Sequence, residues 1–308
     1  MTRRRLSLLA LLGLIAIVAG VSLGQPQFPR GGRGGRGGRM GGMPTGTLPA
    51  DRAGVPNWKV DEHFKNDVFT FVRIQYDSYG GRGGGFGGRG YGGSYGGYGR
   101  WLTDFPDSDL NFSFRLQQLT SLKVNPEPIT RRLTDPDLGD YPFIYIIEPG
   151  GLSFSPEEGE RLRHYLLNGG FLMVDDFWGD SALQNFLEQM KTRVFPEDRY
   201  EPKEIPLEHP IFQCVYRLKE RPQVPSIHSW EGPGSKVTWE WHHDGNTQTV
   251  HYLGIKDDKD RLMTIICHNT DLGDGWERDA ENEDYFHEFS EKKSYPMGIN
   301  IVTYAMTH

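Results

Sequence analysis

The chain has almost no cysteine. Cys214 and Cys267 are the only two in 308 residues, too few for a disulfide scaffold or a cysteine-rich zinc module. The sequence leaves open whether they pair. A basic excess is also missing. With 41 acidic against 34 basic residues the net charge is −7, which argues against a nucleic-acid partner, because phosphate binders usually show a basic surface. Long apolar runs are nearly absent. Leu6 to Val21 is the longest, and it falls short of the roughly 20 residues that span a bilayer. It follows Arg3, Arg4 and Arg5 and exits through Ser22-Leu23-Gly24. Charged start, apolar middle and small-residue exit form the pattern of an export signal. Residues 1–24 are therefore expected to be a signal peptide, an uncleaved anchor being the alternative. The "TRRRLS" start also weakly fits a twin-arginine signal, and no cysteine lies near the exit to carry a lipid. The mature protein is expected to be periplasmic or secreted, meeting the membrane only transiently through this segment.

What is abundant is glycine, 40 residues, in two tracts. Residues 25–57, with "RGGRGGRGGRMGGMP", are too poor in apolar side chains to offset their ordering entropy and read as a disordered linker. Arg-Gly-Gly repeats can bind RNA, but an exported protein meets little of it, so a flexible basic tether is the better reading. Residues 80–100, "GGRGGGFGGRGYGGSYGGYGR", read as an expanded surface loop inside the folded region. Their tyrosines and arginines could instead make an adhesive surface, which is the basis of a purely structural, tethering reading of the protein.

Residues 58–308 read as one domain. "VFTFVRIQYD" (68–77) is strand-like, and 108–123 is a helix with Phe112, Leu116 and Leu119 on one face. "NPEPITRRLT" is an extended connector. "PFIYIIEPGG" is a buried strand. Ser155-Pro156-Glu157-Glu158 is a capping box that opens a helix ending at Asn168-Gly169-Gly170. "FLMV" (171–174) is the next strand, and a helix from Ser181 to Val194 comes after it. "VTWEWHHDGNTQTVHYLGI" looks like a β-hairpin turning at Asp244-Gly245, within a β-rich insertion over 220–257. "RLMTIICHN" is another buried strand and "MGINIVTYAM" a final helix; 271–291, with Asp274-Gly275 but without the spacing of a calcium hand, reads as a solvated acidic loop that could bind a cation loosely. Continuous apolar strands alternating with helices predict an α/β fold, a mostly parallel sheet with helices on both faces.

Ligands of such sheets bind beyond the carboxyl ends of the strands. Acids gather there: Glu148 after one strand, Asp175 and Asp176 after the next, and His268 and Asp271 after the last. Neighbouring strand residues face opposite ways, so Asp175 and Asp176 are expected to do different jobs, one capping the turn and one facing the cleft. Cys267, next to His268, is expected in the core for the same reason. Asp175 or Asp176 as base or nucleophile, His268 as proton carrier and Asp271 as its orienter are the catalytic candidates. Glu148, Gly150, Gly151, Trp178 and His209 are the ligand-binding candidates, with Trp178 and Phe177 either lining an apolar lip or packing beneath the turn. No cofactor is required. A divalent metal could collect Glu148, Asp175, Asp176, His268 and Asp271, although no dense ligand motif such as His-Glu-x-x-His occurs. The histidines of "HHDG" (242–245) are better explained as part of the turn than as ligands.

"YIIEPGG", a helix and then "GGFLMVDDFWG" resemble the class I glutamine amidotransferase-like fold, also described as flavodoxin-like. More closely, "FVRIQYD", "WLTDFPDSDLNFSFRLQQLTSL", "PLEHPIF" and "YPMGINIVTYAM", with the stretch between them, resemble the bacterial domain of unknown function 4159 family. The resemblance implies a glycine loop near an oxyanion site and a nucleophilic cysteine at the next strand end. Here the ungapped match puts Phe177 in the cysteine's place and Asp176 one residue before it, so thioester chemistry is excluded. The expected function is binding without catalysis at the strand ends, of a small polar ligand, a carbohydrate or a cell-envelope component. A hydrolase using the carboxylates and His268, with or without a metal, is the alternative.

Overall fold

The computed structural model describes residues 47–64, 67–78, 99–232, 236–279 and 281–308. The signal segment, residues 25–46 of the linker and 80–98 of the second glycine tract lie outside the described residues, and with them the tracts on which the tethering expectation rests.

Nine strands form among the described residues: β1 Val72–Ile74, β2 Asp77–Ser78, β3 Ile129–Arg131, β4 Phe143–Ile147, β5 Leu152–Ser153, β6 Phe171–Phe177, β7 Lys203–Glu204, β8 His251–Lys256 and β9 Leu262–His268. The helices are α1 Asp107–Leu119, α2 Pro156–Leu167, α3 Asp180–Gln189, α4 Ile227–Glu231, α5 Leu272–Glu277, α6 Glu283–Tyr285 and α7 Tyr295–Thr307. Seven strands make one sheet in the order β3-β1-β4-β6-β9-β8-β7. The five from β3 to β9 are parallel, and β8 and β7 extend them antiparallel. β2 and β5 form a separate antiparallel pair.

β4, β6 and β9 are buried at every residue, which explains their unbroken apolar runs. Phe143, Tyr145 and Ile147 point to one face, where Phe112 and Leu116 of α1, Leu272 and Trp276 of α5 and Ile299 of α7 cover them. Ile144 and Ile146 point to the other, under Leu162 and Leu166 of α2 and Phe186 of α3. The chain leaves β1 toward β3 on one side and continues through β4, β6 and β9 on the other. The order thus reverses between β1 and β4, the kind of switch point at which open sheets bind ligands. Ser155 makes both halves of its capping box. No helix among the described residues is long and apolar enough to cross a membrane. Cys214 and Cys267 are both free, the first exposed and the second buried.

Two expectations are overturned. The hairpin at Asp244-Gly245 does not form, and 220–250 is not β-rich: among its described residues only α4 is regular. β8 pairs instead with β9. The segment's polar groups have other partners. Asp244 accepts hydrogen bonds from Ser181 N and Oγ at the start of α3 (3.1 and 3.0 Å). Asn269 Nδ2 donates to the carbonyls of Asn246 and Thr249 (both 2.8 Å). A segment whose backbone is satisfied this way needs no ladder. The acidic stretch 271–291 is not a solvated loop either. Asp271 caps α5 and Asn282 caps α6, and a π-helical segment, Phe286–Ser294, runs into α7. Its charges alternate with Leu272, Trp276, Tyr285 and Phe289, which the core takes up. A smaller difference is that the connector expected after α1 contributes the edge strand β3.

Candidate functional site

At the carboxyl end of the sheet the chain repeatedly takes a conformation that glycine favours, yet carries acids there. Glu148, directly after β4, has φ 45° and ψ 48°. Asp176 has φ 53° and Asp104 φ 60°. Left-handed backbone costs a residue with a Cβ about 1 kcal/mol. Asp176 is the extra residue where the register of β6 against β9 shifts between Val174 and Phe177. The bulge breaks the strict alternation expected of the two aspartates and re-aims the side chains after it. Phe177 packs on Phe186 and His268 (ring centroids 6.0 and 5.2 Å). Asp176, rather than Phe177, therefore occupies the strained position at the strand end.

The two aspartates do differ. Asp175 Oδ2 accepts hydrogen bonds from Tyr145 Oη (3.2 Å) and Gly273 N (3.0 Å), tying β6 to the start of α5. Its Oδ1 is buried without a partner. Asp176 is only 7% exposed, and among the described residues no donor is hydrogen-bonded to its carboxylate.

Three more acids close on this point. Carboxylate oxygens of Asp104, Asp271 and Asp274 lie within 4.8 Å of one another. Asp104 Oδ2 is buried and unpartnered, and it stands 2.8 Å from where a Cβ on Gly273 would be; only glycine admits it. Asp271 Oδ1 accepts from Asp274 N (2.7 Å). Asp274 Oδ2 accepts from Ile227 N (2.5 Å) and its Oδ1 from Arg278 Nε (3.2 Å). Glu240 Oε1 accepts from Ser226 N (2.9 Å), so Asp274 and Glu240 together fix the start of α4.

Burial dominates the electrostatics. It pushes the Asp104 carboxyl up to about 8 and that of Asp175 up to about 7. Burial, and then repulsion by neighbouring acids, holds Asp176 and Asp271 well above the usual carboxylate range, and Glu277 likewise. Glu148 is raised by burial against the opposing pull of Arg100, and Asp274 by burial against that of Arg278. Burial would also raise Glu240, but hydrogen bonds from His243 and Ser226 hold it below its ordinary value. Among the described residues two guanidinium groups make ion pairs with these acids, and Arg73 draws the Asp104 carboxyl down from a distance. Arg100 bonds Glu148 (2.6 Å), and Arg278 pairs with Asp274, Glu277 and Glu281.

Of the residues singled out in the sequence, Glu148, Asp175, Asp176 and Asp271 share this cluster, each perturbing others electrostatically. His268 does not join them. Cys267 packs in the core on the α5 and α7 face, so His268 points to the opposite face, where its Nε2–H donates to Gly179 O (2.9 Å). Burial lowers its pKa to about 4, leaving it neutral and unpaired with Asp271. His209 is remote. It caps the turn Pro210–Phe212, packs on Tyr304 (5.4 Å) and feels Lys256 at the other end of β8. Gly150 packs against α3, a Cβ there falling 2.9 Å from Ala182 Cβ, and Gly151 stands beside Ser78. Trp178 lies beneath the turn, buried and stacked on His243 (6.4 Å, 22°); the exposed aromatic here is Trp241. The expected open crevice is nearly closed over the two aspartates. Asp104, Asp274 and Glu240 are additions to the sequence reading. Asp271-x-x-Asp274, the spacing of a helix cap and its third residue, was the available signal for one of them.

The family described as "Domain of unknown function (DUF4159)" matches residues 91–306, and the chain belongs to it. A search of curated proteins finds no match.

Proposed function

We propose that this member of the family is a binding domain that takes a divalent cation at the carboxyl ends of β4, β6 and β9 and, through it, a small polar ligand. One observation carries the reading. Seven carboxylates with raised pKa values, those of Asp104, Glu148, Asp175, Asp176, Asp271, Asp274 and Glu277, have ion pairs with only two guanidinium groups among the described residues. Buried charges persist when they are paired or bound to a metal, and otherwise they neutralise by protonation. A cation would supply the missing charge without the protons. The Asp104, Asp271 and Asp274 set is all oxygen, which suits Mg2+, Mn2+ or Ca2+. With Asp176 only 7% exposed, an ion and a small ligand fit better than a carbohydrate. The arginine-led apolar segment at residues 3–21 supports a site of action outside the cytoplasm and a ligand belonging to the cell envelope.

Metal-assisted hydrolysis is the second reading, favoured by the left-handed Asp176 with its unbonded carboxylate. His268 would not serve as the base, being turned to the other face. Asp176→Asn separates the two readings: hydrolysis would be lost while the cation stays bound.

The test is thermal unfolding of the full chain with and without Mn2+. At a hundred times its dissociation constant a bound ion adds about 2.7 kcal/mol, or roughly 5 to 10 °C in Tm for a domain of this size. Asp104→Asn, which removes no helix cap, should abolish the shift. No shift at millimolar Mn2+, or a shift kept in that variant, would end the proposal.

A further inference from the structure

A second cluster, of different chemistry, stands beside the first. Glu240, His242 and His243 place one ligand atom each within 4.8 Å of the others. One oxygen, Glu240 Oε2, lies 3.3 Å from His242 Nε2 and 3.1 Å from His243 Nε2. Ordinary hydrogen bonding explains half of this. His243 is hydrogen-bonded to Glu240, whereas His242 reaches the same oxygen without the alignment of a hydrogen bond. Metal geometry accounts for both approaches. Ligand atoms about 2.1 Å from a tetrahedral ion are about 3.4 Å from one another.

The surroundings are those of a held site. Glu240 is 5% exposed and its other oxygen is fixed by Ser226 N (2.9 Å), the support that metal-ligating carboxylates usually have. Trp178 backs the His243 ring (6.4 Å, 22°). Asp244 clamps the same turn to α3 through Ser181, so closely that a Cβ on Gly179 would fall 2.4 Å from Asp244 Oδ1. Both imidazoles are partly exposed, at 42% and 35%, which gives an ion a way in.

We propose that Glu240, His242 and His243 bind a zinc-class transition-metal ion at the rim of the acidic cluster. Two imidazoles and one carboxylate are borderline donors that favour Zn2+ over Mg2+ or Ca2+. Three protein ligands leave a fourth position for water or an oxygen donor of a ligand. Exposed Trp241, its ring 5.8 Å from His242, offers that ligand an apolar face. The proposal stands independently of the hard-cation site.

The experiment is calorimetric titration of Zn2+ into the full chain after chelator dialysis, with Co2+ absorption as a report on the ligand field. One Zn2+ should bind at micromolar or better affinity. His242→Gln with His243→Gln should weaken it by at least about 100-fold and remove the visible Co2+ bands, leaving the Mn2+ response intact. Asp104→Asn should do the reverse. The paired histidine changes lie on a partly exposed turn, and an unchanged far-ultraviolet spectrum verifies the fold. Zinc binding that survives them, or that disappears with Asp104→Asn instead, would overturn the assignment, as would no micromolar zinc binding by the unaltered chain.

Discussion

Two groups of buried charge lie at the same end of the sheet, and the chain completes only one of them. Arg73 is fully buried with Asp109. Its Nε bonds Asp109 Oδ2 (2.9 Å), its Nη1 donates to the carbonyls of Trp101 and Thr103 (3.0 and 2.7 Å), and its Nη2 to Ser108 Oγ (2.9 Å) and Asp109 Oδ1. All five N–H groups have acceptors, and the Tyr145 ring packs against the guanidinium (5.2 Å). Around Asp176 the same fold leaves oxygens of Asp104 and Asp175 buried and unbonded. The first group holds the 101–109 segment, and so Asp104, in place. The second has acceptors in excess. The charge of the first group is satisfied internally, while the second is left short of donors, as the proposed cation site requires.

The largest effect should come from breaking the completed group. Arg73→Met leaves Asp109 buried and uncompensated and should cost about 3–5 kcal/mol in denaturant unfolding, with no recovery on adding Mn2+. A neutral result would show that the two groups do not differ as described.

Next is pH. An acid whose pKa is raised by folding binds its proton more tightly in the native state, so stability grows as pH falls toward the unfolded value. With Asp104 near 8 and Asp175 near 7, these two groups alone should stabilise the metal-free chain by about 2 kcal/mol between pH 8 and 6.5. His268 works oppositely, since its neutral native form loses ground as pH falls from 6.5 toward 4, so it offsets part of the further gain there. Saturating Mn2+ should abolish the gain by holding the carboxylates ionised. Tm measured across pH, with and without the ion, checks both limbs. A metal-free chain that loses stability between pH 8 and 6.5 would contradict the account.

The smallest effect sharpens the contrast from the other side. Asp176→Asn tolerates the left-handed backbone and removes a buried, unbonded carboxyl group. It should stabilise the metal-free chain at pH 8 by about 1 kcal/mol while weakening ligand capture, the trade-off expected of a site residue. Destabilisation would make Asp176 a structural group like Asp109.

Much of this end of the molecule was legible from composition. The runs of β4, β6 and β9 announce covered strands, and Glu148, Asp175 and Asp176 stand where those runs stop. Asp104 and Glu240 were not legible, because they arrive from segments with other apparent roles, the chain after a glycine tract and a turn that reads as hairpin; Asp274 was only half legible, in an acidic stretch that reads as loop. Long-range packing, not local pattern, makes α5 of the acidic stretch and lays the 240–245 turn on α3. His268 was misplaced for a related reason. Parity along β9 sets its face, but Asn269, at φ 57°, ends the alternation before Asp271, so the two could not be paired by counting. The bulge at Asp176 likewise leaves no mark in the residue types.

Anomalous diffraction from crystals of the full chain grown with Mn2+ tests the central claim most directly. The account predicts a peak bounded by the carboxylates of Asp104, Asp271 and Asp274. An empty position there, with these acids protonated and bonded to one another, would contradict it.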